Sequence, residues 1–550
     1  MDKIKNTADL LIECLEAEGV KYIFGIPGEE NLDVMNALEK SSIEFIPTRH
    51  EQGAAFMADV YGRLTGKAGV CLSTLGPGAT NLVTGVADAN MDGAPLVAIT
   101  GQAGTDRMHL TSHQFVDLIK MFEPITQKSK EIVRPDTVSE IVRIAFKYAE
   151  NEKPGATHIN LPCNIAKMQV EGKPMKKLPV QKGYATFNSL EKAATIISDA
   201  KYPIVLVGAS AARNCCNESV TSFAEHLMIP TLNTIMAKGI ISWKNRYSMW
   251  TFGIPQKDYQ DILLAKADLI VAVGYDLVES APRKWNPDGS KKVIHIGTQS
   301  AHINKYYEPE CEVIGDIDYS LREIQRRASR EDVPKWAFKI KKEMVADYES
   351  YADDTAYPMK PQKLLYDVRK VMDPNSILIS DVGAHKMWIG REYNCELPQS
   401  CLISNGFATM GIAIPGAISA KLINPEKKVL AICGDGGFMM NMQELETAVR
   451  CSTNFVAIIL TDGAYGLIKW KQDEQFGHHC YVDFTNPDFV ALAKAMGCEG
   501  MKIESNEEFI PKLEKAFAMD RPVIIECPID YSENMKLTEK LKKVTEGRLN

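Results

Sequence analysis

The sequence has no Cys-x-x-C pair, no Gly-x-Gly-x-x-Gly turn and no apolar run near the ~20 residues that a membrane span requires. Its 13 cysteines are scattered and odd in number, with only Cys215 and Cys216 adjacent. That pattern disfavours a disulfide framework or a thiolate metal site and fits reduced thiols in the cytoplasm. Positive charge is also short, since 63 Lys+Arg against 71 Asp+Glu leave a formal charge of −8. Nucleic acid is therefore not an expected partner. The start, Met1 to Gly19, lacks the apolar core of a secretory signal and reads as an amphipathic helix bearing Leu10, Leu11, Cys14 and Leu15. What is present is the usage of a folded globular protein, 45% hydrophobic and 24% charged over 550 residues. At about 150 residues per domain, three or four folding units are expected.

Short β-rich runs alternate with helix-length segments along the chain. They lie at Gly69–Ser73, Leu96–Thr100, Ile204–Gly208, Asp268–Gly274, Lys292–Ile296, Ser376–Ser380, Val429–Cys433, Phe455–Leu460 and Pro522–Cys527. Apolar on both faces, they predict parallel sheets covered by helices, an α/β fold of three doubly wound domains. The Lys- and Pro-rich stretch Val170–Gly183 and the charged stretch Ala328–Lys360 read as linkers. The expected domains are residues 1–170, 186–330 and 358–532. Residues 533–550 read as a frayed basic tail, with Lys536, Lys540, Lys542, Lys543 and Arg548 against Glu539 and Glu546.

Chemistry concentrates after two of these strands. Val429–Cys433 runs into Gly434-Asp435-Gly436-Gly437, with a helix expected from about Asn441. A glycine turn there exposes backbone N–H groups that suit a phosphate, or it is simply a tight turn. The next strand ends in Thr461-Asp462-Gly463-Ala464-Tyr465-Gly466-Leu467, so the second acid follows the first by 27 residues. One strand–helix–strand unit has that length, which places both aspartates at the carboxyl ends of neighbouring parallel strands. Two carboxylates beside a diphosphate make a magnesium site; two helix-capping aspartates are the plainer alternative.

With these residues the sequence resembles the thiamine diphosphate enzymes, whose metal motif is Gly-Asp-Gly followed within thirty residues by Asn or Asp. The resemblance implies that Asp435, Asp462 and the Ala464 carbonyl hold Mg²⁺, with Gly434, Gly436, Gly437, Tyr465, Gly466 and Leu467 around the cofactor diphosphate. Arg49-His50-Glu51-Gln52-Gly53-Ala54-Ala55, followed by Leu75-Gly76-Pro77-Gly78-Ala79-Thr80-Asn81, is a second mark, and the resemblance makes Glu51 the acid that activates the cofactor pyrimidine and gives Gly76 and Pro27 places beside the cofactor. Asn405-Gly406-Phe407-Ala408-Thr409-Met410-Gly411 is a third. There Ala408 offers its carbonyl to the pyrimidine amine, and Met410 is the apolar residue wedged between the cofactor rings. Ser380-Asp381-Val382-Gly383-Ala384-His385 is similar to the family's diphosphate-contacting turn, which gives Val382 and Gly383 a place there and makes His385 a phosphate donor.

Among these enzymes the chain is most similar to the catabolic acetolactate synthases. The run Val273-Gly274-Tyr275-Asp276-Leu277-Val278-Glu279 and the pair His113-Gln114 carry that likeness. It implies decarboxylation of pyruvate and condensation with a second pyruvate to 2-acetolactate, with Gln114 hydrogen-bonding substrate, a homodimer at minimum and a homotetramer expected. FAD-dependent relatives bind flavin in the central domain; without a Gly-x-Gly-x-x-Gly turn here, FAD is not expected to be required. Two departures stand out: Glu30 replaces the Lys of one acetolactate synthase branch, and Lys471 replaces a channel Trp of the anabolic enzymes. His109 and His113, four apart, would share one face of a helix, but a third metal ligand is not evident.

Overall fold

The computed structural model describes residues 5–254 and 257–549. Within them lie three six-stranded sheets whose ladders are parallel throughout. The first contains β1 (Tyr22–Gly25), β2 (Glu44–Pro47), β3 (Gly69–Ser73), β4 (Leu96–Gln102), β5 (Lys128–Glu131) and β6 (Ala156–Pro162), in the order β2-β1-β3-β4-β6-β5. The second contains β7 (Pro203–Val207), β8 (Thr231–Thr234), β9 (Ser248–Phe252), β10 (Leu269–Val273), β11 (Lys292–Gly297) and β12 (Cys311–Ile314), in the order β12-β11-β10-β7-β8-β9. The third contains β13 (Ile377–Ser380), β14 (Cys401–Ile403), β15 (Val429–Gly434), β16 (Val456–Thr461), β17 (Glu499–Lys502) and β18 (Val523–Pro528), in the order β14-β13-β15-β16-β18-β17. The α/β class read from the apolar runs is what the chain adopts.

Each sheet is covered because its central strands are apolar on both faces. In β7 and β10, Val205, Val207, Val271 and Val273 join one core cluster, while Ile204, Leu206, Ile270 and Ala272 join another. Alternate residues thus feed two separate cores, the signature of a doubly wound sheet. The first sheet's core gathers Val70, Leu72, Val97 and Ile99 with Leu10, Leu11 and Leu15 of the helix Thr7–Glu18.

The chain packs as two compact units. One comprises residues 1–180, 406–425 and 441–453; the other comprises residues 181–405, 426–440 and 454–550. The first sheet lies in the former and the other two sheets in the latter.

Three local expectations are corrected. The helix after Gly434 spans Asp435–Asn441, so it begins at the aspartate rather than near Asn441, and the glycines form its first turn. Residues 103–116, where His109 and His113 were placed on a helix, form turns and irregular backbone instead. The basic segment 533–550 does not fray where it is described, for Glu533–Leu549 is a helix. Its Leu537 and Leu541, four residues apart, enter the core of the third sheet, an apolar stripe that the charge count conceals.

Candidate active site

In the third sheet β15 and β16 pair with Gly434 opposite Leu460. The next residues carry the two acids, so Asp435 and Asp462 emerge at the carboxyl edge of neighbouring strands, where open α/β sheets bind ligands. Asp435 is buried and organises the loop beyond β16. Its Oδ2 accepts the N–H groups of Asp462 (3.2 Å) and Gly463 (2.8 Å) and the Asn486 amide Nδ2 (2.8 Å), and its Oδ1 accepts Gly436 N–H (2.9 Å). Across the loop, Tyr465 N–H binds the Val482 carbonyl and Phe484 N–H binds the Gly463 carbonyl, both at 2.9 Å, which fixes Ala464 between them. Burial and the charge of Asp435 push the Asp462 carboxyl up to about 7. Such a pair gains from a divalent cation. Among the described residues no group of three or more His, Cys, Asp or Glu side chains is disposed to hold a metal. A cation here therefore takes its remaining ligands from backbone carbonyls or a bound anion.

The surrounding glycines are backed by side chains. A Cβ at Gly383 would lie 2.8 Å from the His385 ring, one at Gly436 2.9 Å from Tyr465, one at Gly437 3.1 Å from Asp381, and one at Gly466 2.8 Å from Asp462 Oδ2. Side chains at these positions would fill the ground between the strand ends. His385 is buried, and burial lowers it to about 4, so its ring is neutral. Its Nε2 is buried with no hydrogen-bond partner. An unpaired buried nitrogen next to a glycine-lined edge is what an anionic oxygen would satisfy. The paired acids, the orphaned nitrogen and the bare glycine edge fit a diphosphate with its cation. Val382 is buried, Leu467 half-buried, and Tyr465 and Lys471 exposed.

In the other compact unit, Glu51 opens the helix Glu51–Thr65. His50 caps that helix by accepting Gln52 N–H on Nδ1 at 3.1 Å. Glu444 clamps the preceding turn, accepting Arg49 N–H (3.1 Å) and His50 N–H (2.9 Å). The Glu51 carboxylate is 8% exposed, and its Oε2 accepts Asn81 Nδ2 at 3.0 Å. A Cβ at Gly78 would reach within 3.2 Å of Glu51 Oε1, so that glycine leaves the acid its room. Gly76, with φ +54°, caps the helix Pro77–Asp92; a Cβ there would meet the Gln114 carbonyl at 2.8 Å. Glu51, the Gly76–Gly78 turn and Gln114 thus lie together. Gln114 itself has a left-handed backbone, φ +57°, and both it and His113 are exposed. Pro27, also exposed, precedes Gly28, which packs against Thr74.

The segment Gly406–Gly411 belongs to the same unit as Glu51. Asp92 accepts Gly406 N–H (2.6 Å), Asp88 accepts the Thr409 hydroxyl (2.9 Å), and Gly411 offers its carbonyl to Asn441 (2.9 Å). The two aspartates share the half-buried Arg63 with Asp59. These contacts hold Ala408 in a left-handed conformation, φ +57°, and leave Met410 half-buried. Neither Asn486 and Glu444 nor the contact of Asn81 with Glu51 is read from the sequence. Each acts over a separation of 30 residues or more, where no local pattern signals it.

Three family models match the chain. The thiamine pyrophosphate enzyme N-terminal TPP binding domain covers residues 5–127, the central domain residues 190–324, and the C-terminal TPP binding domain residues 381–527. The chain is 35% identical to the acetolactate synthase of Bacillus subtilis (strain 168), with 98% of this chain and 96% of that protein aligned.

The chain belongs to the acetolactate synthase family of thiamine pyrophosphate enzymes.

Other members at similar distance include the catabolic acetolactate synthase of Raoultella terrigena, 34% identical over 97% of both chains. A probable acetolactate synthase large subunit of Methanococcus aeolicus is 33% identical, over 98% of this chain and 94% of that one. The N-terminal family model covers Glu51 and Gln114, and the C-terminal one covers both aspartates and His385. No helix among the described residues is long and apolar enough to cross a membrane.

Proposed function

We propose that the protein is an acetolactate synthase that decarboxylates one pyruvate and joins the remainder to a second, releasing CO2 and 2-acetolactate. The carrying observation is that one chain, aligned end to end with acetolactate synthases, combines a buried acid pair after β15 and β16 with Glu51 in the first turn of a helix. When bound, thiamine diphosphate supplies the carbon nucleophile and the electron sink that the decarboxylation needs. Asp435, Asp462 and the Ala464 carbonyl would hold Mg²⁺, and the His385 imidazole would serve the oxygens of the diphosphate. Glu51, kept in place by Asn81, holds a proton at the pyrimidine nitrogen. The Ala408 carbonyl and Met410 orient the rings, and Gln114 hydrogen-bonds the 2-keto acid; Lys471 lies at the rim of its approach.

No flavin is required in this reading. Support comes from Glu279 at the carboxyl ends of β7 and β10, the switch point where sheets of this strand order take a dinucleotide. Its carboxyl group accepts Ala209 N–H (2.9 Å), Asp276 N–H (3.2 Å) and the Thr234 hydroxyl, so the protein's own side chain takes those donors. A homo-oligomer, a dimer at least, is the active form; exposed Met439, Met440, Tyr465 and Ile468 near the acid pair support a covering partner copy. All 13 cysteines are free thiols, in keeping with a cytoplasmic setting.

The purified protein, given pyruvate, thiamine diphosphate and Mg²⁺ with and without FAD, is expected to form acetolactate at equal rates. Acetaldehyde without acetolactate would make it a simple decarboxylase and contradict the proposal.

A further inference from the structure

The connection from β4 to the helix Leu118–Phe122 has no regular structure, yet it carries His113 and Gln114. Fixing such backbone costs conformational entropy, so it needs ties. Its two ends have them. Gln102 Nε2 donates to the Val116 carbonyl at 3.0 Å, and Asn164 exchanges hydrogen bonds with Thr105 at 3.1 and 2.8 Å. Its middle is tied by Arg107. One arm of that guanidinium, Nη1, donates to the His113 carbonyl at 2.9 Å and to the Ser112 hydroxyl at 3.3 Å; the other, Nη2, reaches Glu30 Oε1 at 3.5 Å. Glu30 is itself anchored, since its Oε2 accepts the Thr74 hydroxyl at 3.0 Å. A Cβ on Gly101 would come within 3.3 Å of Glu30, so that glycine lets the acid sit against the end of β4.

We propose that Glu30 and Arg107 are a positioning pair that holds Gln114 over the glycine turn beside Glu51 and thereby sets the affinity for the 2-keto acid. The proposal rests on the acetolactate synthase reading for what Gln114 binds. Its geometry stands apart from that reading. The Glu30 and Arg107 side chains are 11% and 29% exposed, so the pair is charge-assisted and partly desolvated, and losing one partner strands the other. Gln114 needs such support because its left-handed backbone, φ +57°, is costly for a residue with a Cβ. It lies directly against Gly76, where no side chain could fit beneath its carbonyl. The chain of contact runs from Thr74 through Glu30 and Arg107 to His113, adjacent to Gln114. A Lys at position 30 would face Arg107 with like charge. The pairing is thus a device of chains with an acid there.

The test uses the full-length holoenzyme and the variants Arg107→Met, Arg107→Lys and Glu30→Gln. Arg107→Met is expected to raise the pyruvate KM about tenfold while kcat changes less than about threefold, the pattern of a lost binding contribution. Glu30→Gln should move KM the same way, and Arg107→Lys, which keeps charge but not the fork, should do so less. Thiamine diphosphate affinity should stay within about twofold, since neither residue touches the acid pair. Limited chymotrypsin digestion of the loop, at Leu110 and Phe115, should run at least about fivefold faster in Arg107→Met and Glu30→Gln, because the loop opens more often. An unchanged KM in both variants, or digestion no faster than wild type, would overturn the proposal. Wild-type protein that makes no acetolactate would instead refute the functional reading, with the digestion rates still deciding whether the pair holds the loop.

Discussion

The Asp435 carboxylate accepts the N–H of Gly463 at 2.8 Å and that of Asp462 itself at 3.2 Å, so the first acid shapes the loop that presents the second. Neither acid is placed independently. Replacing Asp435 would remove one of the two proposed metal ligands and unfasten the other at the same time.

Asn486 tests that coupling without touching a carboxylate. It donates to the same Oδ2 at 2.8 Å. Asn486→Ala is expected to weaken Mg²⁺-dependent binding of thiamine diphosphate about 10- to 100-fold, as loss of outer support commonly does at metal sites. Isothermal titration of the cofactor with saturating and limiting Mg²⁺ checks this; affinity equal to wild type would show that Asp435 needs no such support.

Cation binding should also depend on pH in a defined window. Burial and Asp435 push Asp462 up to about 7, and a proton on that carboxyl competes with the metal. From pH 8 down to 7 the Mg²⁺ affinity should change little. Below 7 it should fall, approaching roughly tenfold per pH unit if one proton is displaced. A Mg²⁺ titration monitored by intrinsic fluorescence between pH 5.5 and 8 distinguishes this from a flat profile.

Two buried histidines should cost stability on the acid side for a different reason. His158 is buried against Phe122, with Thr100 and Ser129 hydroxyls at 2.8 and 2.9 Å on its two nitrogens, and burial lowers it to about 3. His385 is lowered to about 4. Both lie below the value of about 6.5 in an unfolded chain. The unfolded state therefore binds protons that the folded state refuses, so this stability is present above pH 6.5 and is lost as pH falls toward 4. Asp462 and Glu279, both pushed up to about 7, act in the opposite sense, so the histidine share is read by difference: from pH 7 to pH 5 the cofactor-free protein is expected to lose melting temperature relative to His158→Gln. A variant with the wild-type slope would place the proton uptake elsewhere.

How much of this was legible in the sequence follows from where the information sits. β7, β10 and β15 are apolar throughout, β3, β4 and β16 are apolar up to their polar carboxyl ends, and the runs stand out. β5, Lys-Ser-Lys-Glu, has no apolar pattern at all; it is an edge strand defined by pairing with β6. β17 is likewise an edge strand, held by its ladder to β18. β6 carries His158 and Asn160 in a buried strand, tolerable because Thr100 and Glu131 satisfy them. The acids of the site were visible because a glycine turn and a strand–helix–strand interval are local patterns. Their supports were not: Asn486 meets Asp435 across 51 residues and Arg107 meets Glu30 across 77, and nothing near either residue announces the contact.

The account turns on Glu51. The decisive measurement compares wild type with Glu51→Gln for thiamine diphosphate affinity, hydrogen–deuterium exchange at C2 of the bound cofactor by NMR, and acetolactate formation. Gln keeps the shape and the contact with Asn81 but cannot hold a proton in the same way. Affinity should remain within a few-fold while exchange and turnover both fall by at least about 100-fold, the scale of a lost general acid–base group. Exchange and turnover at the wild-type rate in Glu51→Gln would contradict the account.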